Sequence, residues 1–202
     1  MAGHVGDVGG AAEAWSDEDP SVRSVALGAL ARLHRLDEAT LRAALVDHPT
    51  VARRAAELSA GHGGDIDDAL LAALEGPDAT LVEVAAWALG ERHQDSDRPA
   101  HPIVAALVRV AGNHADALCR EAAVAALGAI AHPDALAAIL RATTDKTTVR
   151  RRAVIALASF DGPEVAAALA RALVDRDWQV RQAAEDLTDT DDIDVDVIDG
   201  GP

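Results

Sequence analysis

Residues 147–160 read TTVRRRAVIALASF. Three consecutive arginines lead into an apolar stretch with helical spacing. Alone, the stretch reads as a basic patch at the start of a helix, a type of contact made to a phosphate backbone. Aligning the rest of the chain on Val149-Arg150 changes that reading. Val22-Arg23 opens VRSVALGALARL, Ala52-Arg53 opens ARRAAELSAG, and Leu81-Val82 opens LVEVAAWALGER. Cys119-Arg120 opens CREAAVAALGAI, and Val180-Arg181 opens VRQAAEDL. The anchors at 23, 53, 82, 120, 150 and 181 are spaced by 30, 29, 38, 30 and 31 residues. Three residues after each anchor stands an alanine: Ala26, Ala56, Ala85, Ala123, Ala153 and Ala184. Seven residues after it stand Leu30, Ala60, Leu89, Leu127 and Leu157, and the pattern ends at Thr188. A fixed period of this length is the signature of a repeat array.

A second apolar-periodic segment lies between successive anchors, at 38–46, 65–75, 101–111, 133–142 and 163–174. Each is followed by a short turn carrying Asp, Gly, Asn or Pro, and Pro102, Pro133 and Pro163 suit helix starts. Each unit is therefore expected to be two short helices. Neither can bury its apolar stripe alone, so neighbours must stack. The expected fold is an all-α solenoid of about five to six helical hairpins. The one long step is assigned to RHQDSDRPAHP (92–102), a polar insertion. The solenoid is expected to span 11–187, with a flexible start at 1–10 and a short capping helix over Ala11–Trp15. The acidic tail TDTDDIDVDVIDGGP (188–202) is read without helical period. It is expected to be a disordered tail; the alternative rests on Ile193, Val195, Val197 and Ile198, which stand among acids in the pattern of a strand that could add to a partner's sheet edge.

Composition agrees with helices. Half of the chain is hydrophobic and only 2% aromatic, so Ala, Leu and Val dominate. The net charge is −16, which repels nucleic acid at long range and makes it a disfavoured partner. Lys146 is the only lysine and Asp outnumbers Glu, a balance suited to a protein working in high salt, where self-repulsion is screened. The other source of such a balance is a GC-rich genome. Cys119 stands alone, so no internal disulfide forms. The start MAGHVGDVGGAAEAW has no basic region or long apolar run, and no segment is apolar enough to span a membrane. A cytoplasmic location is expected.

The recurring arginine is thus a repeat position. A structural role is expected, pairing with an acid in the turn before its own helix. Asp17, Asp47 and Asp175 stand six residues before Arg23, Arg53 and Arg181, and Asp145 stands five before Arg150. Arg151 and Arg152 are left over.

The signature D-x-x-x-V-R-x-x-A-x-x-A-L resembles the HEAT-like repeat first described in phycobilisome lyases. The likeness runs through Asp17–Leu187 and is clearest in Val149–Ala158 and Arg120–Gly128. It departs at Val82, where the family has arginine, and at Ser59-Ala60, where it has Ala-Leu. The resemblance implies a right-handed solenoid whose VR-bearing helices line a concave face. Family members include bilin lyase subunits, di-iron hydroxylases, DNA glycosylases and scaffolds, so fold alone does not assign function. The hydroxylases carry His-Glu pairs; this chain has none, and His48, His101 and His132 precede proline in turns or at helix starts. No metal, cofactor or catalytic constellation is expected: there is no HExxH, CxxC, G-x-S-x-G or completed phosphate loop.

If the VR helices face inward, residues one and five after each anchor share a face. The row contains Arg54, Glu83, Trp87, Glu121 and Arg151, with Arg152 beside it. Trp and Arg are the commonest interface anchors, so these six are the candidate protein- or peptide-binding residues. The opposing reading is that Trp87 fills space left by alanines between repeats. The expected function is a non-catalytic adaptor or scaffold, within which a signalling or taxis adaptor is one form. The alternative is a partner-dependent enzyme subunit of the bilin-lyase-like class.

Overall fold

The computed structural model describes residues 8–94 and 100–193, with side chains described through Thr188. The centre of the 92–102 insertion, residues 1–7, and Val195, Val197 and Ile198 lie outside the described residues. Among those described there is no strand. The chain divides into two compact units, Met1–Arg92 and His93–Pro202.

The first unit holds α1 (Val8–Ala14), α2 (Pro20–Arg32), α3 (Glu38–Leu45), α4 (Pro49–Ser59), α5 (Asp67–Leu74) and α6 (Ala79–His93, whose last residue falls to the second unit). The second holds α7 (His101–Asn113), α8 (Ala117–Ile130), α9 (Leu136–Ala142), α10 (Thr147–Ala156), α11 (Pro163–Ala172) and α12 (Trp178–Ile193). Short 3-10 turns at Pro133–Ala135 and Leu157–Ser159 lead into α9 and out of α10. The even-numbered helices from α2 to α12 carry the repeat anchors, and the odd-numbered helices from α3 to α11 are the intervening segments. This is an all-α repeat solenoid.

Local chemistry sets the helix starts. Asp19, Asp37 and Asp116 accept from the backbone N–H groups of Ser21, Thr40 and Leu118, which satisfies first-turn donors. His48 does the same through Nδ1 for Thr50 N–H. Proline occupies the first turn of α2, α4, α7 and α11, where a missing N–H costs nothing.

Packing follows the repeat. In the first unit α2 packs on α4, α3 on α4, and α3 on α5; in the second, α8 packs on α7 and α10, and α10 on α12. Leu27, Leu41, Leu70, Ala55 and Ala56 are fully buried in the first unit. Leu107, Leu127, Ile139 and Val149 are fully buried in the second. The conserved-spacing alanines Ala26, Ala56, Ala85, Ala123, Ala153 and Ala184 are all buried, which explains why the position is small. Anchor helices approach closely: a Cβ on Gly128 would lie 2.6 Å from Ala156 Cβ.

Two boundaries differ from the sequence reading. The N-terminal helix starts at Val8, and buried Ala11 packs with Ala29, Leu30, Trp15, Leu33 and Leu36. At the other end α12 continues through 188–193, where the sequence reading places a non-helical tail. Extending an existing helix needs no new nucleus, and Thr188 Oγ1 donates to the carbonyls of Ala184 and Glu185. In the sequence the period-2 alternation begins at Ile193, the last residue of α12.

Candidate protein-binding surface

The repeat arginines are fixed within the fold. Arg23 Nε and Nη2 donate to Asp47 Oδ2 and Oδ1 at 2.8 and 2.6 Å. Arg120 binds Asp145 in the same two-pronged way at 2.8 and 2.7 Å, and Arg150 binds Asp175 at 3.1 and 2.9 Å. The acid therefore belongs to the turn of the following repeat, 24 or 25 residues further on, and not to the turn before the arginine's own helix. The own turn contributes backbone oxygens instead. Nη1 of Arg23 donates to the carbonyls of Asp17 and Glu18, Nη1 of Arg120 to those of His114 and Ala115, and Nη1 of Arg150 to that of Asp145. Each arginine thus ties its own turn to the next one, with the planar fork matched to the carboxylate.

The same carboxylates accept backbone N–H groups, from His48 to Asp47, Lys146 to Asp145 and Asp177 to Asp175. The arginine hydrogen bond first, and those amides after it, hold all three aspartates below the usual carboxylate range against the opposing effect of burial. Arg181 donates to Asp175 O, and Arg53 to Pro49 O, and neither makes a two-pronged carboxylate contact among the described residues. Val82 is fully buried at the remaining anchor.

Arg92, which the sequence reading placed in the insertion, instead belongs to α6 and is buried. Its Nε donates to Asp67 Oδ1 at 2.6 Å, Nη1 to the carbonyls of Ser59 and His62, and Nη2 to that of Gly64. It holds the α4–α5 loop to α6. The helical run LGERH continuing past Leu89 is the sequence signal that would have found it.

The six candidate residues fall into two groups. In the first unit, Trp87 on α6 is 44% exposed, against the space-filling reading. Glu83, one turn earlier on α6, is half-buried and makes no ion pair among the described residues. Arg54 on α4 reaches Glu57 at 2.7 Å and lies over Gly28 of α2, whose missing side chain leaves it room. In the second unit, Arg151 is exposed and makes no ion pair among the described residues, while Arg152 stands 3.7 Å from Glu121 on α8. Arg152 and exposed Ile155 border a shallow hollow of about 200 Å³ floored by Ala125, Gly128 and Ala156. Ile193 is the final residue of α12. Among the exposed large hydrophobics that the sequence reading does not single out, Leu118 at 53% and Trp178 at 63% stand at the N-terminal ends of anchor helices. They precede the aligned motif, where repeat alignment gives no signal.

Among the described residues there is one cluster of metal-ligating type. His101, His132 and Asp134 offer ligand atoms that all lie within 4.8 Å of one another. The sequence reading has these histidines as exposed turn residues; His132 is half-buried, with its Nδ1 accepting from Asp134 N.

With this geometry in hand, the class of protein is a helical repeat solenoid. Residues 104–187 match the family model for HEAT repeats. No curated protein matches the chain. Among solved structures, a designed armadillo repeat protein is similar with a TM-score of 0.64 at 16% identity, over 91% of this chain and 99% of that one. An engineered protein from a structural genomics programme is similar with a TM-score of 0.61 at 19% identity, over 91% and 95%. At such identities the likeness concerns fold alone. No helix among the described residues is long and apolar enough to cross a membrane.

Proposed function

We propose that the chain is a non-catalytic interaction module that binds a protein or peptide on its anchor-helix faces, in the manner of an adaptor. The observation that carries this reading is the exposure of Trp87. A solvated repeat face gains nothing from a half-exposed tryptophan, whereas an interface uses one as an anchor. Glu83 and Arg151, neither in an ion pair among the described residues, support it, since their charges can meet a ligand's. The repeat arginines Arg23, Arg120 and Arg150 are spent on the fold and leave recognition to their neighbours.

The finer reading is a cytoplasmic adaptor of the phycobilisome-lyase repeat type, working in high salt. A signalling or taxis pathway is one setting for it. The partner is a protein with both acidic and basic groups beside an apolar anchor pocket. Nucleic acid fits poorly with a net charge of −16.

The test is capture of partners from native cytosol in high salt, with contacts mapped by cross-linking and mass spectrometry. The wild type is compared with Trp87→Ala and Arg151→Ala. A partner that cross-links beside α6 or α10 and is lost in a variant supports the reading. Capture and cross-links unchanged in both variants would overturn it.

A further inference from the structure

We propose that His101, His132 and Asp134 form a binding site for one divalent cation of the zinc class, independent of the protein-binding surface. The three residues come from two places in the second unit. His101 opens α7, and His132 and Asp134 lie at the 3-10 turn that leads into α9. His101 Nδ1 stands 3.3 Å from Asp134 Oδ2, and His132 Nδ1 stands 3.7 Å from the same oxygen. The two imidazole rings meet edge to face with centroids 4.7 Å apart.

The separations suit a shared ion. Zinc bonds imidazole nitrogen and carboxylate oxygen at about 2.0–2.2 Å, so tetrahedral neighbours lie about 3.3–3.6 Å apart. Two of the contacts are already near that range. The widest gap, up to 4.8 Å, closes by turning His101, whose side chain is 75% exposed and has room to rotate. Two nitrogens and one oxygen favour zinc, cobalt or nickel over magnesium or calcium, which want oxygen ligands. The fourth position would be filled by water.

Both histidines precede a conformationally constrained position. Each histidine is followed by proline at the first turn of its helix, Pro102 and Pro133, which fixes φ there. The same elements carry buried Ile103, Ala135 and Ile139, and α7 packs against both the 3-10 turn and α9. His132 is oriented by the hydrogen bond from Asp134 N to its Nδ1, at 3.2 Å. Coordination through Nδ1 would replace that bond with a metal bond, so part of the binding energy offsets a lost cap.

Zinc chloride titrated into the full chain by calorimetry, in excess magnesium to occupy the many surface carboxylates, tests the site. We expect one saturable equivalent in the wild type. Affinity should fall about tenfold or more in both His101→Ala and Asp134→Asn, since even outer partners of a metal site are worth that much. Cobalt should give a visible ligand-field band that both variants lose. His101 is exposed, so its replacement should leave the circular dichroism unchanged. No saturable zinc uptake by the wild type, or isotherms of both variants that superimpose on it, would overturn the proposal.

Discussion

Arg150 on α10 clasps Asp175, the acid of the next repeat's turn, with both carboxylate oxygens engaged and the arginine side chain 6% exposed. The relationship recurs in Arg23–Asp47 and Arg120–Asp145. It joins consecutive repeats through groups that each need the other, because a buried charge without its partner is costly.

Asp175→Asn should therefore destabilise more than an ordinary surface substitution. Arg150 would keep its carbonyl contact with Asp145 but lose the opposing charge while buried. We expect a loss of about 2–4 kcal/mol, near the range for breaking one side of a buried pair. Urea denaturation followed by circular dichroism measures it. Asp161→Asn, an exposed acid in the α10–α11 loop, is the control and should change stability by under about 0.5 kcal/mol. Equal midpoints for the two variants would refute an inter-repeat role for the pair.

The same pairs set an acid limit. Asp47, Asp145 and Asp175 have folded-state pKa values below their unfolded values, so the unfolded chain binds more protons in acid. Their stabilisation is full above the unfolded carboxylate value of about 3.9 and fades as pH drops through the lower folded values. The urea midpoint should hold from pH about 7 to about 5 and then fall steeply below about 4. In Asp145→Asn the midpoint should start lower and fall less steeply. An acid slope unaltered by that change would mean that other carboxylates dominate.

Sequence made the array legible because period and small-residue position are both one-dimensional facts. The anchors and Ala123 or Ala153 could be aligned without coordinates. The arginine's partner could not. In a repeat, the acid before a helix and the acid of the next turn are copies of one position, so Asp145 and Asp175 are equally plausible mates for Arg150 on paper. Only the stacking geometry selects between them. Arg92 was misread because a polar residue at the end of a helix looks like the start of a loop until its carbonyl partners from the α4–α5 loop are visible. Trp87 sits at the margin of an apolar stripe, where spacing does not separate exposed from packed. His101 and His132 are far apart in sequence, and nothing in either His-Pro pair indicates that their rings touch.

Charge makes a further prediction. The chain carries −16 overall, and dilution of salt lengthens the reach of that self-repulsion. The Arg–Asp pairs are partly buried and screened little, so they do not gain enough at low salt to compensate. Dialysis from molar salt into dilute buffer, followed by circular dichroism at 222 nm, should show loss of helical signal and a lower melting temperature. Helicity that is constant across the dialysis would show that the acidic surface is no burden to the fold.

Two glycines on anchor helices should respond to alanine with opposite sign. At Gly128 the added Cβ would meet Ala156 Cβ at 2.6 Å and Ala156 Cα at 2.9 Å, and backbone cannot step aside cheaply. Overpacking of this kind costs about 1–3 kcal/mol and outweighs the gain in helix propensity of about 1 kcal/mol. At Gly28 the nearest atoms are the guanidinium ends of Arg54 and Arg32, at 3.0 and 3.5 Å. Those flexible tips can shift, so the propensity gain survives and Gly28→Ala should match or exceed the wild type by up to about 1 kcal/mol. Urea midpoints of the two variants decide the matter. A stable Gly128→Ala beside a weakened Gly28→Ala would mean that α8 and α10 are not held so closely at Ala156, and that Arg54 is anchored more firmly over α2 than its bond to Glu57 suggests.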